Sequence, residues 1–165
     1  MINPIEFFKE QVAIWNEKNH CGNCWSFTAP LTDSGFNEYQ LRDGKECCYL
    51  LAITDYRTTS SNEYNSVNWT RRKVCDHRIV MYIVKPSNIG INHHNEIDGH
   101  EECESKYETI IKPLRECFEC DPIIDYCEIV GYPVQITQWN VDNVFNLHDN
   151  NYDGIKITAV MREIS

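Results

Sequence analysis

Residues 134–164 constrain the fold of this chain more tightly than any other stretch. An apolar segment over 134–147 leads into the turn-forming run Asp149-Asn150-Asn151-Tyr152-Asp153-Gly154 and then into a strand-like 155–164, so a pair of strands is predicted there. Within the first of these the phase changes: Val134 and Ile136 are even-numbered, whereas Trp139, Val141, Phe145 and Leu147 are odd. A strand repeats every two residues and cannot move its apolar set to the other face without an extra residue. A bulge or break is therefore predicted near Thr137 and Gln138. A chain that closes on a sheet strand leaves no length for a tail or linker, which gives the expectation of a single domain over 1–165.

Upstream, Asn3 is a good helix cap, Pro4 suits the first helical position, and Glu6 follows the cap by three residues. Ile5, Phe8, Val12 and Trp15 then recur at helical spacing, so an amphipathic helix is predicted over 4–18. The runs 47–53 and 79–84 are continuous, apolar and rich in β-formers, the pattern of strands covered on both faces. They are the expected central strands, joined by a long polar tip over 57–72. A second helix is expected over 103–119 from Tyr107, Ile110, Ile111, Leu114 and Phe118, with a kink or restart at Pro113. Asp121-Pro122 suggests a short helix to about Val130, ended by Gly131. The segments 19–45, 57–72 and 86–102 read as long loops. The expected class is α+β: an antiparallel sheet of about four strands packed with two main helices, in the order α-β-β-α-(α)-β-β.

Charge narrows the function. With 25 acidic against 15 basic side chains and a formal net charge of −10, the chain lacks the clustered Lys and Arg that grip phosphates. The one local basic group, Arg71-Arg72-Lys73, reads as a solvated edge. Pro4, Glu6 and Lys9 leave no apolar run for a signal peptide, and no segment reaches the length of a membrane-spanning helix, so cytoplasmic synthesis is expected. Nine cysteines are many, but their odd number and the missing export signal argue against a disulfide framework, so most are expected to be reduced thiols.

Cys21-Gly-Asn-Cys24 and Cys117-Phe-Glu-Cys120 are two Cys-x-x-Cys pairs, so Cys21, Cys24, Cys117 and Cys120 are candidates for a four-thiolate zinc site. Their separation along the chain is far longer than in common zinc ribbons, and burial as small hydrophobes is the competing reading. His93-His94 and His100-Glu101-Glu102-Cys103 gather further potential ligands in one loop without the spacing of a helical zinc motif. Gly-rich phosphate loops and serine nucleophile elbows are absent, so neither a cofactor nor catalysis is expected. Trp25 and Trp69 fall outside the regular apolar faces and, with Arg57 and Tyr64, are the interface candidates.

The layout resembles the small proteins at the neck of tailed bacteriophages, in particular tail terminator or tail completion proteins. The likeness is carried by the helix over 4–18, the hairpin with its extended tip over 47–85, the helix over 103–119, and the closing Leu147-x-Asp-x-x-Tyr-x-Gly154 with its final strand. It implies a non-enzymatic virion subunit without cofactor. Such a subunit forms a ring with itself, six-fold by expectation, caps the tail tube, and joins it to head-side connector proteins while DNA passes without specific binding. Residues 57–72 would then be an arm between subunits. The competing class is a small cytoplasmic zinc-binding or thiol-dependent protein using its Cys-x-x-Cys pairs.

Overall fold

Asn3 caps the first helix as the sequence requires: its Oδ1 accepts from the backbone N–H of Ile5 at 3.1 Å and of Glu6 at 3.4 Å. The helix, α1, runs over Pro4–Glu17 in the computed structural model, which describes residues 3–18, 24–32, 49–64, 67, 70–86, 107–118, 134–145, 147 and 152–164. Its buried side is Phe7, Phe8, Val12 and Trp15, with Ile5 partly covered. Four further strands and a fifth short one follow: β1 Trp25–Thr28, β2 Tyr49–Tyr64, β3 Arg71–Pro86, β4 Val134–Val144 and β5 Tyr152–Ile164. A π-helical turn, Tyr107–Ile111, passes directly into α2, Lys112–Phe118. The change of helix type falls next to Pro113, whose missing N–H makes it a natural point for a helix to restart.

The fold is mixed α+β; the described residues form two helices and one five-stranded sheet in the order β1-β2-β3-β5-β4. Two details differ from the expected four antiparallel strands. Trp25–Thr28 adds a strand inside the segment expected to be a loop, and it pairs parallel to β2, from Trp25 against Tyr49 to Thr28 against Ala52. The 57–72 segment is also not a loop: β2 continues to Tyr64 and β3 begins at Arg71, with unbroken pairing from Arg57↔Arg78 to Tyr64↔Arg71. The expected loop over 86–102, beyond Pro86, and the short helix after Asp121 lie outside the described residues.

Both register shifts in the sheet have visible consequences. In β4 the pairing with β5 slips between Ile136 and Gln138, so that Ile136 before the slip and Trp139 and Val141 after it all pack on the main core. This is the bulge that the phase change demanded. In β2 the slip lies between Ile53 and Asp55, and it swings Tyr56 and Thr58 onto the face that Leu51 and Ile53 occupy before it.

The helices lie on this face. Phe8, Val12 and Trp15 of α1 and Ile111, Leu114 and Phe118 of the second helical segment meet Leu51, Ile53, Ile79, Met81, Ile83, Ile155, Ile157 and Ala159 of the sheet. Trp139 donates its indole N–H to the Phe118 carbonyl at 2.8 Å, and Arg115 donates to the Val141 carbonyl and to Asn143 Oδ1, which fixes α2 over β4. A smaller cluster of Leu50, Ala52, Val84 and Tyr152 occupies the opposite face, so the central strands are covered on both sides there, as their unbroken apolar runs predict.

Candidate functional site

Among the described residues two regions carry chemistry or contact surface: the outer edges of the sheet with their hairpin, and a polar cluster at the far end of the core face.

At the β2 edge, β1 pairs only with residues 49–52, and among the described residues no strand covers the outer edge of β2 beyond them. Residues 57–64 are all exposed. Thr58, Thr59, Ser60, Ser61 and Asn62 form a five-residue run without charge or proline, two of the devices that keep edge strands from pairing. At the other end of the sheet β4 pairs only with β5 among the described residues. Successive antiparallel pairings make β2 and β4 run in opposite directions.

The predicted interface residues separate in this setting. Tyr64 is 66% exposed at the hairpin end, and Arg57 is exposed on β2, where its Nε lies 3.4 Å from Asp55 Oδ2. Trp25 is not at a surface: it is 3% exposed, packed against Trp15, Tyr49 and Phe118 with ring centroids 4.9, 5.2 and 5.8 Å away. Its backbone N–H is held by Asn16 Oδ1, so its burial comes from the meeting of α1, β1 and α2 and not from any period of its own segment. Trp69 lies outside the described residues. Of the basic group, Arg72 is ion-paired with Glu63 across the hairpin.

The four metal candidates are likewise divided. Cys24 and Cys117 are each part of a disulfide, whereas Cys75 is a free thiol, and a disulfide sulfur offers no thiolate to a metal. Their chain neighbours Trp25 and Phe118 touch, so the two segments converge on one corner of the molecule. Cys21 and Cys120 lie outside the described residues, as do His93, His94, His100, Glu101, Glu102 and Cys103.

The sequence reading missed the polar cluster. Cys75 and His77 are two apart in β3 and share a face, and Glu163 of β5 stands opposite Cys75 in the register. His77 is fully buried and Cys75 nearly so, whereas the Glu163 side chain is 15% exposed. His77 Nε2 is 2.9 Å from Glu163 Oε2 and 3.6 Å from Cys75 Sγ. On the other side of the ring, Nδ1 lies 3.0 Å from the Tyr56 hydroxyl, which in turn accepts from Thr58 at 2.8 Å. Ser60 donates toward Cys75 Sγ at 3.6 Å.

This cluster is not a thiol protease relay. A relay needs the nucleophile and the acid on opposite ring nitrogens, so that one positions the imidazole while the other loses a proton to it. Here sulfur and carboxylate both converge on Nε2.

On the opposite side of the same strands Arg162 donates from Nε and Nη2 to the two carboxylate oxygens of Asp76, at 2.8 and 3.0 Å. That hydrogen-bonded guanidinium holds the Asp76 carboxyl below its ordinary value, and in return the Arg162 guanidinium is held above its own. No protein-family model matches this chain, and no curated protein matches it in sequence.

Proposed function

We propose that this chain is a non-enzymatic virion subunit of the tail terminator or tail completion kind, assembling head to tail into a six-fold ring that caps the tail tube and meets the head-side connector. The supporting observation is the pair of sheet edges that no strand covers among the described residues. β2 presents an edge whose run over 58–62 carries neither charge nor proline, and β4 presents a second, different edge of opposite direction. In a ring whose axis runs along the strands, a rotated copy keeps the direction of its β2, so it meets β4 of its neighbour antiparallel and the sheet continues across the subunit boundary. Two different patches per subunit make a heterologous contact, the kind that closes into rings.

The hairpin over 57–72 reaches past the last β5 pair at Val74↔Ile164 and serves as the arm toward the neighbour. A net charge of −10 keeps the lumen from gripping the DNA that passes through it. Assembly takes place in the host cytoplasm, and the disulfides at Cys24 and Cys117 suit the oxidising surroundings of a released particle. Among the described residues no helix is long and apolar enough to cross a membrane, and the reading calls for no membrane partner.

The test uses proline, which removes one backbone donor from a strand. Neighbouring residues of an edge strand point their N–H groups alternately inward and outward, so one of Thr59→Pro and Ser60→Pro removes a donor from the outer edge alone. That variant is expected to remain folded by circular dichroism and to lose the ring by native mass spectrometry. Retention of the ring in both variants would refute edge pairing.

A further inference from the structure

We propose that Cys75, His77 and Glu163 form a binding site for a zinc-type divalent cation, built into the sheet between β3 and β5. The three donor atoms, Sγ, Nε2 and a carboxylate oxygen, lie within 4.8 Å of one another. A tetrahedral Zn2+ with Zn–S near 2.3 Å and Zn–N and Zn–O near 2.1 Å sets ligand separations of about 3.6 Å for S···N and about 3.4 Å for N···O. The observed S···N separation is 3.6 Å and the N···O separation is 2.9 Å. The first already has the span of a coordinated pair; the second needs about 0.5 Å of opening, and the Sγ···O separation, which lies within 4.8 Å, must settle near about 3.6 Å, so the Glu163 carboxylate has to swing away from Nε2 and toward Cys75 when the ion enters.

Convergence on a single ring nitrogen is what distinguishes this arrangement. A metal takes the place of the Nε2 proton, and the sulfur and carboxylate beside that nitrogen become its further ligands. The imidazole then carries its proton on Nδ1, where the Tyr56 hydroxyl stands 3.0 Å away to accept it. A hydrogen-bonded second ring nitrogen of this kind is the ordinary outer-shell partner of a metal-bound histidine. Thr58, 2.8 Å from the same hydroxyl, holds Tyr56 in turn.

The charges close as well. A thiolate and a carboxylate together offset a divalent cation, leaving a neutral group in a buried place, where a net charge would be costly. The mixture of soft sulfur, imidazole and carboxylate suits zinc over magnesium or calcium, which favour oxygen alone. A water hydrogen-bonded to the Ser60 hydroxyl, which lies 3.6 Å from Cys75 Sγ, would complete the four ligands. Binding loses the Cys75 thiol proton to solvent, so affinity should rise with pH. Functionally the cation would tie β5 to β3 close to the hairpin end of the sheet, stiffening the base of the arm. The site does not depend on the ring reading.

The probe is Co2+, and separately Zn2+, added alone to the full chain after treatment with a chelator. The expected result is one equivalent bound, with the visible bands of tetrahedral cobalt and a near-ultraviolet sulfur-to-cobalt charge-transfer band. Cys75→Ser should abolish the charge-transfer band. Glu163→Gln keeps an acceptor for the His77 N–H, so it should preserve the circular dichroism spectrum while metal affinity falls. Tyr56→Phe should weaken binding by about 10- to 100-fold, as loss of an outer-shell partner does. Absence of binding, a charge-transfer band that survives Cys75→Ser, or parental affinity in a folded Glu163→Gln chain would each overturn the assignment.

Discussion

Gly154 is the position at which the sheet tolerates least. It pairs with Val84 on one side and Val144 on the other, so two neighbouring strands bound it. A Cβ added there would lie 2.0 Å from the Ile83 carbonyl oxygen, 2.8 Å from Val84 Cα and 2.9 Å from the Ile83 carbonyl carbon. All three atoms are backbone, so no rotamer change relieves the contact, and β3 and β5 must separate locally by more than 1 Å, on the order of the gap between 2.0 Å and ordinary contact. Overpacking of this kind costs about 1–3 kcal/mol. Losing one or two ladder hydrogen bonds adds about 1 kcal/mol each. Against these stands about 0.4–1 kcal/mol gained from a stiffer unfolded chain. The Gly154→Ala chain should therefore be less stable by about 1–4.5 kcal/mol, a large share of the ~5–15 kcal/mol of a typical domain. Urea unfolding followed by tryptophan fluorescence measures it: at a slope of about 2 kcal/mol per molar, the midpoint should fall by about 0.5–2 M. An unchanged midpoint would refute the close approach of β5 to β3 and with it the register drawn here.

Other perturbations follow the same reasoning. Replacing residues 62–73 with a two-residue Asn-Gly turn between Ser61 and Val74, which face each other in the register, should leave a folded chain but abolish the ring, read by native mass spectrometry. Phe118→Ala removes the ring that packs edge-on to Trp15 and Trp25 and should cost about 3–5 kcal/mol in urea unfolding. Asp76→Asn should cost about 0.2–1 kcal/mol at pH 7, since the pair with Arg162 is about one-third exposed. Because the folded Asp76 carboxyl titrates below its ordinary 3.8, that contribution is complete above 3.8 and is lost as pH falls through the folded value, so parent and variant should converge in acid. Reduction of the disulfides at Cys24 and Cys117 should lower thermal stability by an amount equivalent to about 2–4 kcal/mol per bond, checked by melting with and without a phosphine reductant.

What could be read in advance follows from where each signal resides. The cap at Asn3 and the bulge at Thr137 are local, the first set by a side chain beside its own helix and the second by the parity of apolar residues in one strand. β1 escaped because a four-residue strand has no period to detect, and its pairing partner lies more than twenty residues away. The extension of β2 to Tyr64 escaped because 57–64 is polar and exposed, so its strand conformation rests on pairing with β3 and not on apolar alternation. Trp25 was misplaced for a related reason: three elements bury it, and none of them is visible from its own segment. In the polar cluster, the Cys75-x-His77 spacing alone puts two metal ligands on one face of a strand, a signal within reach of the sequence. Glu163 joins them only through the β3–β5 register, 86 residues from His77, and no pattern along the chain encodes that meeting.

The proposed ring rests on the two open edges, and native mass spectrometry of the purified full chain tests it most directly. Head-to-tail pairing of β2 with β4 predicts a closed oligomer, six subunits in the reading proposed above, that dissociates to folded monomers when the outer edge of β2 loses a donor. A chain that stays monomeric as its concentration is raised, or a dimer that gains no further subunits, would contradict it, because a contact between two different patches cannot stop at two copies.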